Sequence, residues 1–214
     1  MSSVPVPSGG SLVLGCVSWE TYRRVLRTFD DRHLRITYDR GELEIMTLSS
    51  EHERLKKLLG YLILTLVVEL GWNMASCGSM TFKRRKFKRG LEPDDCYWIQ
   101  NEPRVRGKKK IDLRIDPPPD LVIEIEWTRS ALNRLGIFAV LGVPEVWRYD
   151  GQTIYVQLLG SDGRYREATH SQVFSFLPMQ EMTRFLALLS THSETDIVRQ
   201  FRAWAQARIA ANWQ

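Results

Sequence analysis

The chain has 214 residues, 43% hydrophobic and 26% charged, a balance typical of one soluble domain with a substantial core. Net charge is +5 and the pI about 9.2, so polyanions are a favoured class of partner. Three scattered cysteines argue against a disulfide framework or a paired-cysteine zinc site and fit a reducing cytoplasm, while no apolar run approaches the roughly 20 residues that span a bilayer.

Residues 1–15, opening with the Pro-, Ser- and Gly-rich MSSVPVPSGG, read as a flexible N-terminal segment. One domain follows over 16–192, then a C-terminal helix over 193–214 that packs on the domain or on a dimer partner. Ser18 is a candidate N-cap for the first helix. His33–Met46 reads as a hairpin: Leu34, Ile36 and Tyr38 alternate, Asp39-Arg40-Gly41 turns, and Leu43 and Ile45 alternate back. Ser49 or Ser50 opens a helix to about Leu70, with Leu55, Leu58, Leu59, Leu62, Leu66 and Leu70 on its apolar stripe and Gly71 ending it.

From Trp72 to Trp98 the pattern favours strands, with a turn at Ser76-Cys77-Gly78-Ser79. The basic run Lys83-Arg84-Arg85-Lys86-Phe87-Lys88-Arg89 lies on the outgoing strand or its loop, and Lys108-Lys109-Lys110 belongs to a long connection ending in Pro117-Pro118-Pro119. Those prolines fix the approach to a strand at 120–127. Ser130–Leu141 is predicted helical, Gly142-Val143-Pro144 turns, and Glu145–Tyr149 pairs through Asp150-Gly151 with Thr153–Leu158. Helices are predicted over Met179–Leu189 and Glu194–Ala211, the latter with a stripe of Ile197, Phe201, Trp204 and Arg208. The order gives an α/β fold, a mixed sheet covered by helices. No glycine-rich nucleotide fingerprint or nucleophile elbow occurs, so a nucleotide cofactor is not expected.

The chemistry concentrates in two acidic segments. On the strand at 120–127, Asp120, Val122, Glu124 and Glu126 face one way, and Leu121, Ile123, Ile125 and Trp127 the other. Carboxylates on such a strand need a positive partner, and a divalent metal is an effective one. Asp94, after Pro93, could supply a second carboxylate from a neighbouring strand, and the carbonyl of Ile125 a third ligand. Magnesium held there would serve phosphodiester hydrolysis, with a nearby Lys or Arg stabilising the developing charge. Capping, solvation or internal pairing with arginines are the structural alternatives for these acids.

Four blocks in order resemble the PD-(D/E)XK nuclease superfamily and, more narrowly, its Uma-type restriction-endonuclease family. They are Leu48-Ser-Ser-Glu-His52-Glu53, Glu92-Pro93-Asp94, Pro119-Asp120-Leu-Val-Ile-Glu124-Ile and Gly142-Val-Pro-Glu-Val-Trp147. The resemblance implies a restriction-endonuclease-like mixed sheet flanked by helices and a Mg2+- or Mn2+-dependent endonuclease acting on DNA. It assigns Asp94 and Glu124 to the metal, with Glu126 assisting, and places His52 and Glu53 where related nucleases put an auxiliary acid. The superfamily lysine position holds Glu126 instead. The corresponding basic residue is Arg134, four before Phe138 and on its helix face, able to neutralise phosphate but a poor base.

Lys83, Arg84, Arg85, Lys86, Lys88, Arg89, Lys108, Lys109 and Lys110 bracket Asp94 and are the candidate DNA contacts. A homodimer would suit cutting of two strands. Two other readings share the sequence: a nucleic-acid-binding protein with a decayed site, and a protein-interaction domain whose acids pair internally.

Overall fold

The computed structural model describes residues 10–29, 34–78, 80–126 and 130–212. Ser18 caps α1 (Trp19–Thr28) by accepting from the Thr21 amide, and Ser49 caps α2 (Ser50–Glu69) by accepting from that of His52. Between them, β2 (Leu34–Asp39) and β3 (Glu42–Thr47) form the expected hairpin. Its tight turn places Arg40 and Gly41 both at positive φ, 49° and 108°, the conformation that matches right-handed strand twist. The predicted hairpin start at His33 lies outside the described residues, as do residues 1–9, Ser79, and Trp127 of the acidic strand.

The remaining elements are β1 (Ser11–Leu14), β4 (Ala75–Ser76), β5 (Phe82–Arg84), β6 (Arg89–Leu91), β7 (Asp95–Trp98), the one-turn α3 (Glu102–Val105) and β8 (Leu121–Ile125). After them come α4 (Arg134–Leu141), β9 (Glu145–Tyr149), β10 (Ile154–Leu159), β11 (Tyr165–Ala168), α5 (Met179–Ala187) and α6 (Glu194–Asn212). They build two sheets rather than the single one expected. The first is antiparallel, β1-β3-β2-β6-β5; the second is mixed, β11-β10-β9-β8-β7-β4, with β8 and β9 parallel and joined across α4.

Several elements differ from the sequence reading, among them the short α3 in a stretch read as a connection. Residues 11–14, expected within a flexible segment, form β1 along β3 from Ser11↔Met46 to Leu14↔Leu43; the backbone ladder holds this strand, since its side chains are all exposed. The helix predicted from Ser130 starts at Arg134, because Ala131 and Ser130 donate to the Glu44 carboxylate and Asn133 caps the helix instead. Strand β11 was not predicted; it covers β10 through Val156↔Ala168 to Leu159↔Tyr165.

The mixed sheet is buried on both faces. Leu121, Ile123 and Ile125 pack with the α2 leucines, α5 and α6, where Ile197 and Phe201 of the last helix are fully enclosed. Val122, Val146 and Trp98 on the other face meet Ile137, Phe138 and Leu141 of α4. A third cluster sets α1 against the hairpin, with the Tyr22 and Tyr38 rings stacked 4.7 Å apart. Asp120 is structural: it accepts from the amides of Ile99 and Asn101 at 2.7 and 2.9 Å and so closes the entry to β8. Among the described residues, no helix is long and apolar enough to cross a membrane.

Gly90 marks a close approach to a held ring. A Cβ there would stand 2.4 Å from the Tyr22 hydroxyl, and that ring is held by its stack on Tyr38. Gly90→Ala is therefore expected to destabilise the chain by about 1–3 kcal/mol in urea unfolding. Among the described residues the buried Tyr22 hydroxyl has no hydrogen-bond partner, so Tyr22→Phe is expected to be neutral or mildly stabilising in the same measurement.

Candidate functional site

Register brings the two acidic segments together. Strand β7 runs antiparallel to β8 with Asp95 opposite Ile123, so the next step outward sets Asp94 opposite Glu124. Both carboxylates are 2% exposed. The Ile125 amide donates to Asp94 Oδ2 at 2.6 Å, tying the Asp94 side chain across the strand gap.

The positive partners come from two other elements. Arg35, on β2 of the first sheet, reaches across to the mixed sheet. Its Nη2 pairs with Asp94 Oδ1, and its Nη1 lies 3.6 Å from Glu124 Oε2. Arg134, at the start of α4, forks Glu124: Nε to Oε2 and Nη2 to Oε1, both at 2.8 Å. Its Nη2 also donates to the Glu92 carbonyl at 2.6 Å, and its Nη1 to the Thr37 hydroxyl. Arg35 and Arg134 are themselves buried. Two carboxylates thus face two guanidinium groups and the charges cancel. Burial pushes the Arg35 pKa down to about 10, which leaves it charged at neutral pH.

His52, at the start of α2, completes the cluster. Its Nε2 lies 3.0 Å from Arg35 Nη2 and 3.1 Å from Asp94 Oδ2. Arginine has only donors and an ionised carboxylate only acceptors, so Nε2 serves one of the two at a time: it accepts from Arg35 with the ring proton on Nδ1, or it donates to Asp94 with the proton on Nε2. Nδ1 is buried and, among the described residues, has no hydrogen-bond partner, with Glu53 Oε1 3.6 Å away. Burial, aided by the Arg35 charge, pushes the His52 pKa down to about 4. Glu53 turns outward to Lys56 at 2.6 Å. Glu126 stands at the rim, forked by Arg148 at 2.6 and 2.7 Å.

A cavity of about 310 Å³ opens beside this cluster, lined by Glu124, Glu126, Arg134 and Arg148 together with the 130–133 loop. The sequence-based site residues Asp94, Glu124, Arg134 and His52 are therefore brought together, with Glu126 and Glu53 at the edge. Arg35, Thr37 and Glu44 were missed. On an alternating hairpin they occupy the face opposite Ile36 and Tyr38, which the pattern assigns to solvent, and here it is buried against the second sheet.

Magnesium prefers about six oxygen ligands in near-octahedral geometry, and the cluster does not fit it as arranged. Arginine, histidine and an amide take up the carboxylate oxygens. Among the described residues no three of His, Cys, Asp and Glu converge as a metal-holding group. Ile125 contributes its amide to Asp94, and the internal pairing of acids with arginines is the arrangement present.

The basic segments are divided. Lys83, Arg85, Lys86, Lys88, Lys109 and Lys110 are exposed. Arg84 donates to the Leu113 carbonyl, Arg89 to Asp39 at 2.9 Å, and Lys108 to Asp116. Lys83 and Arg85 line one groove with Lys110, Arg114 and Arg23, so the two runs meet.

An α/β fold with a mixed sheet carrying an acidic pair at the β7–β8 junction defines the class. The chain belongs to the Uma2 family, described as "Putative restriction endonuclease", which matches residues 19–191. A crystal structure described as "a putative nuclease belonging to DUF820 from Anabaena variabilis ATCC 29413" is similar at 14% identity and a TM-score of 0.44, covering 71% of this chain and 90% of that one. No curated protein matches the chain.

Two outcomes follow from the cluster. Arg134→Met leaves Glu124 without its fork and is expected to cost about 3–5 kcal/mol in chemical denaturation. The folded chain holds His52 neutral below its ordinary pKa, so the unfolded state binds the extra proton between about pH 6.5 and 4. Stability should fall as pH drops through that window, and His52→Gln should flatten the slope in melts taken across it.

Proposed function

We propose that this chain binds DNA along its phosphate backbone through the groove where its two basic segments meet. The observation that carries this reading is the convergence of Lys83 and Arg85 with Lys110, Arg114 and Arg23 around a space of about 610 Å³. Asp112 there is held by Arg114 at 2.9 Å and Glu20 lies 3.7 Å from Arg85; five basic side chains meet these two acids, so positive charge dominates. The basic strands lead directly to the acidic pair, because only Glu92 and Pro93 separate β6 from Asp94. A cytoplasmic setting fits the three free cysteines.

The second reading is a Mg2+- or Mn2+-dependent endodeoxyribonuclease, active as a homodimer if it cuts both strands. The cavity beside Glu124 and Glu126 favours it, since a phosphate entering there would meet both acids and the arginine side chains, as does the family. Against it stand the arginine forks and, among the described residues, the lack of a placed base: His52 is buried, with its Nε2 enclosed between Arg35 and Asp94. Binding therefore stands ahead of turnover.

The test pairs a gel-shift titration at several salt concentrations with incubation of supercoiled plasmid in Mg2+ or Mn2+. Binding that weakens steeply with salt, without nicking, is the expected result. Replacing Lys83, Arg85 and Lys110 with alanine together should lower the slope of log affinity against log salt by about 2–3. Nicking by the native chain, lost in both Asp94→Ala and Glu124→Ala, would replace the binding reading with cleavage.

A further inference from the structure

Arg35 touches both members of the acid pair. It belongs to neither strand that carries them and comes from the opposite sheet, fixed in the β2–β3 ladder opposite Met46. Its contacts with acidic groups at this site are Asp94 and Glu124, and its third contact is the imidazole of His52. Arg134 covers the other side of Glu124. Each of the four charged side chains is at most 6% exposed.

We infer that Arg35 and Arg134 are the resident cations of this site, Arg35 bridging Asp94 and Glu124, so that no divalent ion enters while Arg35 is in place. A buried carboxylate pair needs about two positive charges nearby to stay ionised. One divalent ion supplies them in a metal site; two guanidinium groups supply them here. A magnesium ion added to this balanced set would leave two uncompensated positive charges among side chains at most 6% exposed, a large desolvation cost. Entry therefore requires an arginine to leave. The cavity reaches Glu124 from the Arg134 side, and Arg35 is buried behind the pair rather than in its wall. The inference is independent of the DNA reading, because metal affinity is measured without nucleic acid.

The test is thermal melting of the full chain in EDTA, Mg2+ and Mn2+, for the native sequence, Arg35→Ala and Asp94→Asn. The native chain should melt at one temperature in all three. Asp94→Asn should melt lower in EDTA, on the order of 10 °C, because it strips Arg35 of a partner; a vacant metal pair would gain stability from losing a like charge. Arg35→Ala should melt lower in EDTA and recover about 5 °C or more in Mn2+ at a hundredfold excess over its Kd. If Arg35→Ala fails to fold in EDTA, refolding in Mn2+ should restore it. A Mn2+-dependent rise in the native chain, a higher melting temperature for Asp94→Asn, or no Mn2+ response in Arg35→Ala would each overturn the inference.

Discussion

The neutralised set of Asp94, Glu124, Arg35 and Arg134 is the constraint around which the rest of the structure is arranged. It sits where the two sheets meet: the acids belong to the mixed sheet, Arg35 to the antiparallel one, and Arg134 to the helix that connects the parallel strands. Apolar packing alone would let the sheets slide, whereas directional charge-assisted bonds admit one relative position. Neighbouring polar groups follow the same logic. Glu44 pins the 130–131 loop that delivers Arg134, and Glu92 receives Arg134 on its carbonyl while its carboxylate accepts from Ile36 and Thr81. Removing any one partner leaves a buried charge exposed to the low-dielectric interior, which is why the cluster behaves as a unit.

That arrangement also bears on what the fold can do. A carboxylate pair at the junction of two strands is chemically suited to phosphodiester work only if something brings positive charge to a phosphate and activates water. Here the positive charge is already committed to the carboxylates, and His52 is held neutral by burial. Exposed positive charge lies instead on the β5–β6 segment and the 108–114 loop, along a groove that recruits Arg23 from α1. The separation of an internally balanced acid site from an outward basic groove supports recognition of a nucleic-acid backbone more directly than its hydrolysis.

Much of this was legible in the sequence because local rules govern it. The caps at Ser18 and Ser49, the Arg40-Gly41 turn, the α2 stripe and the Gly142 stop each depend on a few adjacent residues, and the placing of Asp94 and Glu124 on neighbouring strands rests on two short apolar segments, though their register is seen only in the fold. What was not legible depends on tertiary burial. Arg35, Thr37 and Glu44 alternate with apolar residues in the way solvent-facing side chains do, and nothing local shows that a second sheet covers them. The division into two sheets was hidden for the same reason, since short strands such as β4 and β6 carry little pattern of their own. The start of α4 moved because a distant carboxylate, Glu44, takes the backbone and hydroxyl donors that the helix would otherwise have used. The basic runs could be located in sequence but not sorted, because Arg84, Arg89 and Lys108 reveal their structural partners only in the folded chain.

The most direct measurement is a crystal structure of the native chain grown in Mn2+, with diffraction collected where manganese scatters anomalously. If arginine is the resident cation, the map shows the Arg35 guanidinium between Asp94 and Glu124, the Arg134 fork intact, and no anomalous peak between the carboxylates. A manganese peak bonded to Asp94 and Glu124, with Arg35 swung away, would contradict that and return the site to metal chemistry.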